Sequence, residues 1–110
     1  MSKSKHIAVG ELLMDLECEM RTLGLWDQES PSPEALASTQ PFAVDTLSFP
    51  QWVQFIFIDR MLVLVETRGD LPDRCGIAPM SEEYFRDSPI SGVNVTAIFH
   101  SLDELLSSEG

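Results

Sequence analysis

Apolar residues recur at helical spacing near both ends of the chain. In residues 5–23 they form a narrow stripe along one face: Val9, Leu12, Leu13, Leu16, Met20 and Leu23. A second stripe predicts a helix that starts at Ser88 or Ser91 and continues to residue 106: Val95, Ile98, Phe99, Leu102, Leu105 and Leu106. Positions three or four apart share a helix face, so each stripe indicates a helix with one buried side. Gly24 suits the left-handed position just past the first helix.

The middle of the chain, residues 48–67, is the most apolar helical segment. Ser48 and Gln51 form the S-x-x-Q pattern of a capping box at its start. Its body, WVQFIFIDRMLVLVE, is apolar on almost every side, which is typical of a buried core helix or a membrane span. The apolar runs are too short to cross a bilayer and are interrupted by Asp59 and Arg60. We therefore predict a core helix.

Prolines and glycines interrupt the segments between these helices, so only short helices are predicted there. Residues 33–36 and 80–85 are predicted to be short helices, the second with Tyr84 and Phe85 turned toward the core. No alternating strand pairs with hairpin turns are found. Three longer helices with one or two short helices and ordered loops predict a small all-α bundle. The whole chain, residues 1–110, is predicted to be a single domain.

Composition and charge narrow the classes of function. The chain is 44% hydrophobic and 23% charged, as globular proteins are. Seven basic residues against eighteen acidic ones give a net charge of −11. That charge repels phosphate, so we expect no direct binding to nucleic acid. It suits a basic protein partner, although the same charge also serves simply to keep a small protein in solution.

Sequence motifs of catalysis and metal binding are absent. The chain has no phosphate loop, GxGxxG, HExxH or GxSxG, so no catalytic residue, metal ligand or cofactor is assigned. His6 and His100 are both predicted to face solvent. Cys18 and Cys75 form no CxxC motif and are predicted to be free thiols of a cytoplasmic protein. The N-terminal residues lack the apolar run and cleavage site of a signal peptide.

Arg60 is the most informative single residue in the central segment. On an α-helical wheel it falls among apolar positions: Phe49, Val53, Ile56, Val63 and Leu64. A buried guanidinium keeps its proton and must be paired, so the wheel predicts a buried ion pair. The candidate acidic partners are Asp45, Asp15 and Glu82.

Two other interpretations of Arg60 stay open. The guanidinium can extend along the helix to water. Alternatively, it serves an anion pocket walled by three aromatic residues: Phe42, Trp52 and Tyr84.

The stretch STQPFAVDTLSFPQW, residues 38–52, mixes aromatic residues with prolines and hydrogen-bonding side chains. Its polar side chains are placed to bond loop backbone near the core, and its aromatics to fill gaps between helices. The stretch is either a structural connection or a binding surface, because packed polar loops often carry function. If the stretch is a binding surface, its candidate residues are Thr39, Gln40, Pro41, Phe42, Asp45, Thr46 and Trp52. Arg60, which lies outside the stretch, is a further candidate.

The same segments carry a family resemblance. STQPFAVDTLSFPQWVQFIFIDRM, the pair Leu71-Pro72 and the later stretch IAPMSEEYF resemble the YqcC-like family of small bacterial helical proteins. The family motif maps onto Ser38, Thr39, Gln40, Pro41, Phe42, Asp45, Thr46, Trp52, Arg60, Met61 and Pro79. The resemblance implies an all-α bundle in the bacterial cytoplasm, with no catalytic residue to transfer. Genes of this family often lie beside one for a tRNA pseudouridine synthase, which implies an accessory role in tRNA modification.

Three functional hypotheses follow, none of which involves a membrane or a direct contact with nucleic acid. The first is a non-enzymatic module that binds a basic protein, such as a tRNA pseudouridine synthase, through residues 39–46 and neighbouring acidic helix faces. The second is a small-ligand binder or minor enzyme with an anion pocket at Arg60. The third is a homodimer that forms through an exposed apolar patch on the central helix.

Overall fold

Helices account for every regular element in the described chain. A computed structural model describes residues 4–40, 43 and 45–107. The elements are α1 (Lys5–Thr22), α2 (Pro33–Leu36), α3 (Phe49–Trp52), π1 (Val53–Ile58), α4 (Asp59–Thr67), α5 (Ala78–Arg86) and α6 (Val93–Ser107). α3, π1 and α4 follow one another without a break and are together called the central helix. No strand occurs in the ranges just given, and the predicted all-α bundle is confirmed.

The first helix forms where the apolar stripe predicts it. Ser4 caps its start by accepting a hydrogen bond from the Ile7 N–H at 3.2 Å. The fully buried positions all come from the predicted stripe: Val9, Leu13, Leu16 and Met20. Gly24 has the predicted left-handed conformation, with φ of 74°. The next residue then folds back, and its N–H donates to the Met20 carbonyl oxygen at 2.8 Å.

The core lies where α1, the central helix and α6 meet, with α5 packed on α6. Phe99 of α6 is fully buried at its centre, with its ring centroid 6.2 Å from that of Phe49 and 5.7 Å from that of Phe57. The other fully buried residues of α6 also belong to the predicted stripe: Val95, Leu102 and Leu106. Truncating a buried phenylalanine to alanine costs about 3–5 kcal/mol, so this aromatic cluster is a major source of stability.

The central helix begins with the predicted capping box. The Ser48 N–H donates to Gln51 Oε1 at 3.0 Å, and the Gln51 N–H donates to Ser48 Oγ at 3.3 Å. Its last helical residue is Thr67, as predicted. Arg68 takes the left-handed conformation that ends the helix, with φ of 55°, and the Gly69 N–H then donates to a helix carbonyl. No helix in the described ranges is long and apolar enough to cross a membrane.

The buried face of the central helix differs from the face that the wheel assigned around Arg60. Hydrogen bonds in a π-helix join residues five apart, so the turn holds one extra residue and rotates everything after it by about 100° relative to an α-helical wheel. The wheel places Arg60, Val63 and Leu64 on the buried face. Leu64 packs against the core as the wheel predicts, but Val65 packs there too and Met61 is buried at 4% exposure. Val63 is 51% exposed and Arg60 is exposed, so the predicted burial of Arg60 is wrong.

Tyr84 and Phe85 differ in how far they enter the core. Phe85 is half-buried and packs against the core, as predicted. Tyr84 is 38% exposed, so its predicted burial is wrong. Its ring lies on the outer side of Phe49, at 5.4 Å between centroids. A tyrosine at that position keeps its hydroxyl near water while one ring face remains packed.

The last helix begins later than either predicted start. Ser88 caps a turn instead of the helix, because its Oγ accepts the Ile90 N–H at 3.1 Å. Gly92 then lies against Phe85, and a Cβ added to it would be 2.0 Å from Phe85 Cδ2. This close approach fixes the entry into α6, whose first residue is Val93.

Candidate functional site

The longest stretch of the chain without a basic residue includes the candidate loop. Residues 27–59 contain no lysine, arginine or histidine. Within the part of residues 27–47 that the structure describes, four acidic residues are exposed: Asp27, Glu29, Glu34 and Asp45. We call residues 27–47 the acidic segment. Its potential is not offset by any basic residue of its own, which favours contact with a basic surface.

Hydrogen bonds within the acidic segment hold its loop together. Ser38 Oγ donates to Asp45 Oδ1 at 2.5 Å and accepts from the Gln40 N–H at 3.1 Å. Thr46 Oγ1 donates to the Ala35 carbonyl oxygen at 2.7 Å, which ties the loop to α2. Ala43 is buried and has a positive φ of 48°, a conformation that non-glycine residues adopt only when their surroundings require it. The described residues of the loop are therefore tied to one another and to α2, and Thr39, Gln40, Asp45 and Thr46 are exposed.

A buried glutamine fastens the acidic segment to the central helix. Gln54 is 9% exposed and bonds both polar backbone groups of Asp27. Its Oε1 accepts the Asp27 N–H, and its Nε2 donates to the Asp27 carbonyl oxygen, each at 2.8 Å. The Asp27 carboxylate in turn accepts from Gln51 Nε2 at 3.2 Å. Sequence reasoning missed this anchor, although a glutamine inside the run WVQFIFI was its visible signal.

Four of the candidate loop residues are described by the structure, and two lie outside the described residues. Thr39, Gln40, Asp45 and Thr46 are exposed, as a binding surface requires. Pro41 and Phe42 lie outside the described residues, so their predicted packing and binding roles stay predictions.

Arg60 forms no buried ion pair. Its side chain is exposed, and no carboxylate of the described residues lies within 4.0 Å of its guanidinium. Asp45, the first candidate partner, accepts a hydrogen bond from Ser38 instead. Arg60 directly precedes the buried Met61 and lies at the edge of the buried face, with its side chain turned to solvent. The structure therefore shows neither the predicted ion pair nor a buried charge at Arg60.

Arg60 and Trp52 do meet at one cavity. It has a volume of about 320 Å³ and lies between the central helix and the connection that follows it, where Pro72, Cys75 and Ile77 form the opposite wall. Its described lining contains no residue of the loop at 39–46, and Tyr84 lies elsewhere against Phe49. The structure thus separates the described candidate residues into two places: the acidic segment and the cavity at Arg60.

A carboxylate on α6 holds the far wall of this cavity. Asp103 Oδ1 accepts three hydrogen bonds, from the Cys75 N–H at 2.6 Å, the Cys75 thiol at 3.0 Å and the Gly76 N–H at 3.2 Å. Partial burial raises the pKa of Asp103, but these hydrogen bonds outweigh burial and hold it below its usual range. Burial, reinforced by the bond to Asp103, raises the pKa of Cys75 to about 12. The sequence carried no signal for this contact, which we call the Asp103 clasp.

The two histidines and the two cysteines differ in their exposure and contacts. His100 is exposed, as predicted, and its Nε2 lies 3.4 Å from Glu82. His6 is half-buried, and its Nε2 donates to the Gly69 carbonyl oxygen at 2.7 Å, so its predicted exposure is wrong. Cys18 is exposed, and both thiols are free, as predicted. Within the described ranges no group of three or more side chains is positioned to hold a metal ion.

Two apolar side chains are exposed on the outside of α4. Val63 is 51% exposed and Leu62 is 36% exposed. Single exposed apolar residues are normal on protein surfaces. Dimer formation through this face therefore stays a prediction.

Comparison with known proteins assigns the chain to a family. Residues 8–105 match the DUF446 family, which is described as "tRNA pseudouridine synthase C". The chain is 39% identical over 75 residues to an uncharacterized protein of Haemophilus influenzae, covering 68% of this chain and 71% of that one. It is 30% identical over 104 residues to the uncharacterized protein YqcC of Escherichia coli, covering 94% and 95% of the two chains.

The chain is also similar to a solved structure and to part of a longer protein. The solution NMR structure of Escherichia coli YqcC matches with a TM-score of 0.84 at 30% identity, covering 98% of this chain and 92% of that chain. A tRNA pseudouridine synthase C of Pectobacterium carotovorum is 35% identical over 69 residues, which are 63% of this chain but only 18% of that protein. The chain therefore belongs to the DUF446, or YqcC-like, family of small all-helical bacterial proteins.

Proposed function

We propose that this chain is a non-catalytic accessory protein that binds a tRNA pseudouridine synthase through its acidic segment. The observation that carries the proposal is the Pectobacterium carotovorum match. There, a segment similar to this chain makes up a small share of a longer protein named tRNA pseudouridine synthase C. Joining two parts on one polypeptide raises their effective concentration, which favours parts that work together. In this proposal the chain associates with the synthase through non-covalent contacts.

Charge supports the acidic segment as the contact surface. An enzyme that binds tRNA presents basic residues to phosphate, and a protein with a net charge of −11 is attracted to such a surface. The four exposed carboxylates of the acidic segment have no basic neighbour in sequence between residues 27 and 59. Hydrogen bonds also hold Ser38, Asp45 and Thr46 in place before binding, which lowers the conformational entropy lost by these residues on binding.

The experiment measures binding between the purified chain and the purified tRNA pseudouridine synthase of the same organism by isothermal titration calorimetry. We expect saturable 1:1 binding with a Kd of about 10 μM or lower near physiological salt, and weaker binding as salt is raised. The double variant Glu34→Gln/Asp45→Asn should raise the Kd about tenfold, since it removes two charges at the proposed contact. Asparagine at position 45 keeps an acceptor for Ser38, so the loop should keep its structure.

The matched control removes the same charge elsewhere. Glu82→Gln/Glu83→Gln neutralises two exposed residues on α5 and should leave the Kd within about twofold of wild type. Thr39→Ala/Gln40→Ala tests the uncharged part of the loop and should also weaken binding. Absence of binding at about 100 μM synthase would overturn the proposal. Equal weakening by the two charge variants would show that net charge alone, rather than the acidic segment, drives association.

A further inference from the structure

The cavity at Arg60 combines an apolar interior with one cation. Its lining from the central helix includes Trp52, Ile56 and Leu64, and Ile77 lies on the opposite side. The volume of about 320 Å³ falls at the lower end of the range for small-molecule sites. It equals the space that about ten molecules of liquid water occupy. A site of this size takes a small organic molecule rather than a folded partner.

Arg60 supplies the cavity with a single charge. It is the one ionised residue of the described lining, because the other titratable group there, the Cys75 thiol, stays neutral at physiological pH. The guanidinium has no carboxylate of the described residues within 4.0 Å, so its planar set of donors is available to a ligand. A carboxylate matches that geometry through two parallel hydrogen bonds.

The walls of the cavity are held in place without a ligand. The Asp103 clasp fixes the backbone of residues 75 and 76 against α6. On the other side the Trp52 ring stacks on Phe57, with 5.8 Å between centroids. Such preorganisation lowers the entropy lost when a ligand binds.

A larger groove elsewhere on the molecule does not offer the same selectivity. It has a volume of about 670 Å³ and lies over α5 and α6. Its lining includes both signs of charge, Glu82 and Arg86, and Glu82 already contacts His100 at 3.4 Å. The groove therefore has no single charge to select a ligand, whereas the cavity at Arg60 has one.

We propose that the cavity at Arg60 binds a small organic carboxylate whose apolar body, aromatic or branched, fills the space between Trp52, Ile56 and Ile77. The carboxylate lies at the mouth and accepts hydrogen bonds from the Arg60 guanidinium. The net charge of −11 does not prevent this, because charges beyond about 8 Å are largely screened at physiological ionic strength. Local pairing with Arg60 decides the preference for an anion.

The test uses naphthalene-2-carboxylate and its neutral analogue naphthalene-2-methanol as probes. Each is titrated into ¹⁵N-labelled protein while amide chemical shifts are followed. We expect saturable shifts at residues 52–64 and 72–77, with a Kd for the carboxylate of about 1 mM or lower. Arg60→Gln should raise the carboxylate Kd about tenfold and leave the Kd of the neutral analogue unchanged. Since Arg60 is exposed, this variant should keep the wild-type fold, which its spectrum reports directly.

Two further variants complete the design. Arg86→Gln removes the same charge from α5 and should leave both Kd values unchanged. Ile56→Trp fills the cavity and should abolish binding of both probes. The proposal is overturned if the carboxylate binds equally well to Arg60→Gln, if its shifts cluster at α5 and α6, or if neither probe saturates at about 10 mM.

Discussion

Replacing Asp103 with alanine removes the acceptor of the Asp103 clasp. The carboxylate accepts three hydrogen bonds from Cys75 and Gly76, two of them from backbone N–H groups. A hydrogen bond to a charged group contributes about 1.5–3 kcal/mol when it is shielded from water. Asp103 is half-exposed, so water replaces part of this network, and we expect the variant to lose about 2 kcal/mol. For 110 residues this corresponds to a fall in Tm of about 8 °C.

Thermal and urea unfolding followed by circular dichroism measure this loss. Asp103→Asn keeps an acceptor oxygen but loses the charge, so it should lose about half as much stability. Glu104→Gln removes the same charge from an exposed neighbour and should change stability by less than about 0.5 kcal/mol. If Asp103→Ala unfolds within about 0.5 kcal/mol of wild type, the clasp does not stabilise the fold and the reasoning is refuted.

The pH dependence of the same variant supplies a second check. The pKa of Asp103 is lower in the folded chain than its usual value. Its stabilising contribution is therefore fully present above the unfolded value of about 4 and is lost as the pH falls through the folded pKa. The stability difference between wild type and Asp103→Ala should be constant above about pH 5 and should shrink below pH 4. A difference that grows as the pH falls would contradict the assigned sign.

Three further predictions concern helix packing and thiol chemistry. Gly10→Ala should raise the free energy of unfolding by about 0.5–1 kcal/mol in urea titrations, because its Cβ would meet the facing helix at an ordinary 3.5 Å and alanine favours the helix. Gly92→Ala should lower it by about 1–3 kcal/mol in the same assay, since its Cβ would overlap the Phe85 ring, and an unchanged value would contradict this contact. At pH 8, iodoacetamide should label the exposed Cys18 and spare Cys75, whose pKa is raised to about 12; peptide mapping by mass spectrometry that finds equal labelling would refute this.

Helix positions at the two ends of the chain could be predicted from local pattern. The α1 stripe lies in a regular α-helix, so a period of 3.6 residues identifies the same buried residues as the structure, such as Val9 and Leu16. The capping box at Ser48 was also readable, because its two bonds join residues three apart in sequence. These features depend on neighbours along the chain, which a sequence displays directly.

Features that depend on long-range packing were not readable. The π-helical turn leaves no signal in an apolar run, and such a run does not show which face is buried: Met61 is buried and Arg60 is exposed. The Asp103 clasp joins residues 28 apart, and the Gln54 anchor joins residues 27 apart. For the candidate pocket, the sequence correctly predicted that Trp52 and Arg60 line the same cavity. It also predicted Tyr84 in the wall of that cavity, but Tyr84 lies against Phe49 instead.

The most direct test of the central claim maps the surface that a tRNA pseudouridine synthase contacts. Purified synthase is added to the ¹⁵N-labelled chain, and the amide signals that shift or broaden are assigned. We expect the affected amides to cluster in the acidic segment, residues 27–47, and a higher salt concentration to reverse the effect. Unchanged signals at equimolar synthase, or changes confined to α5 and α6, would contradict the claim.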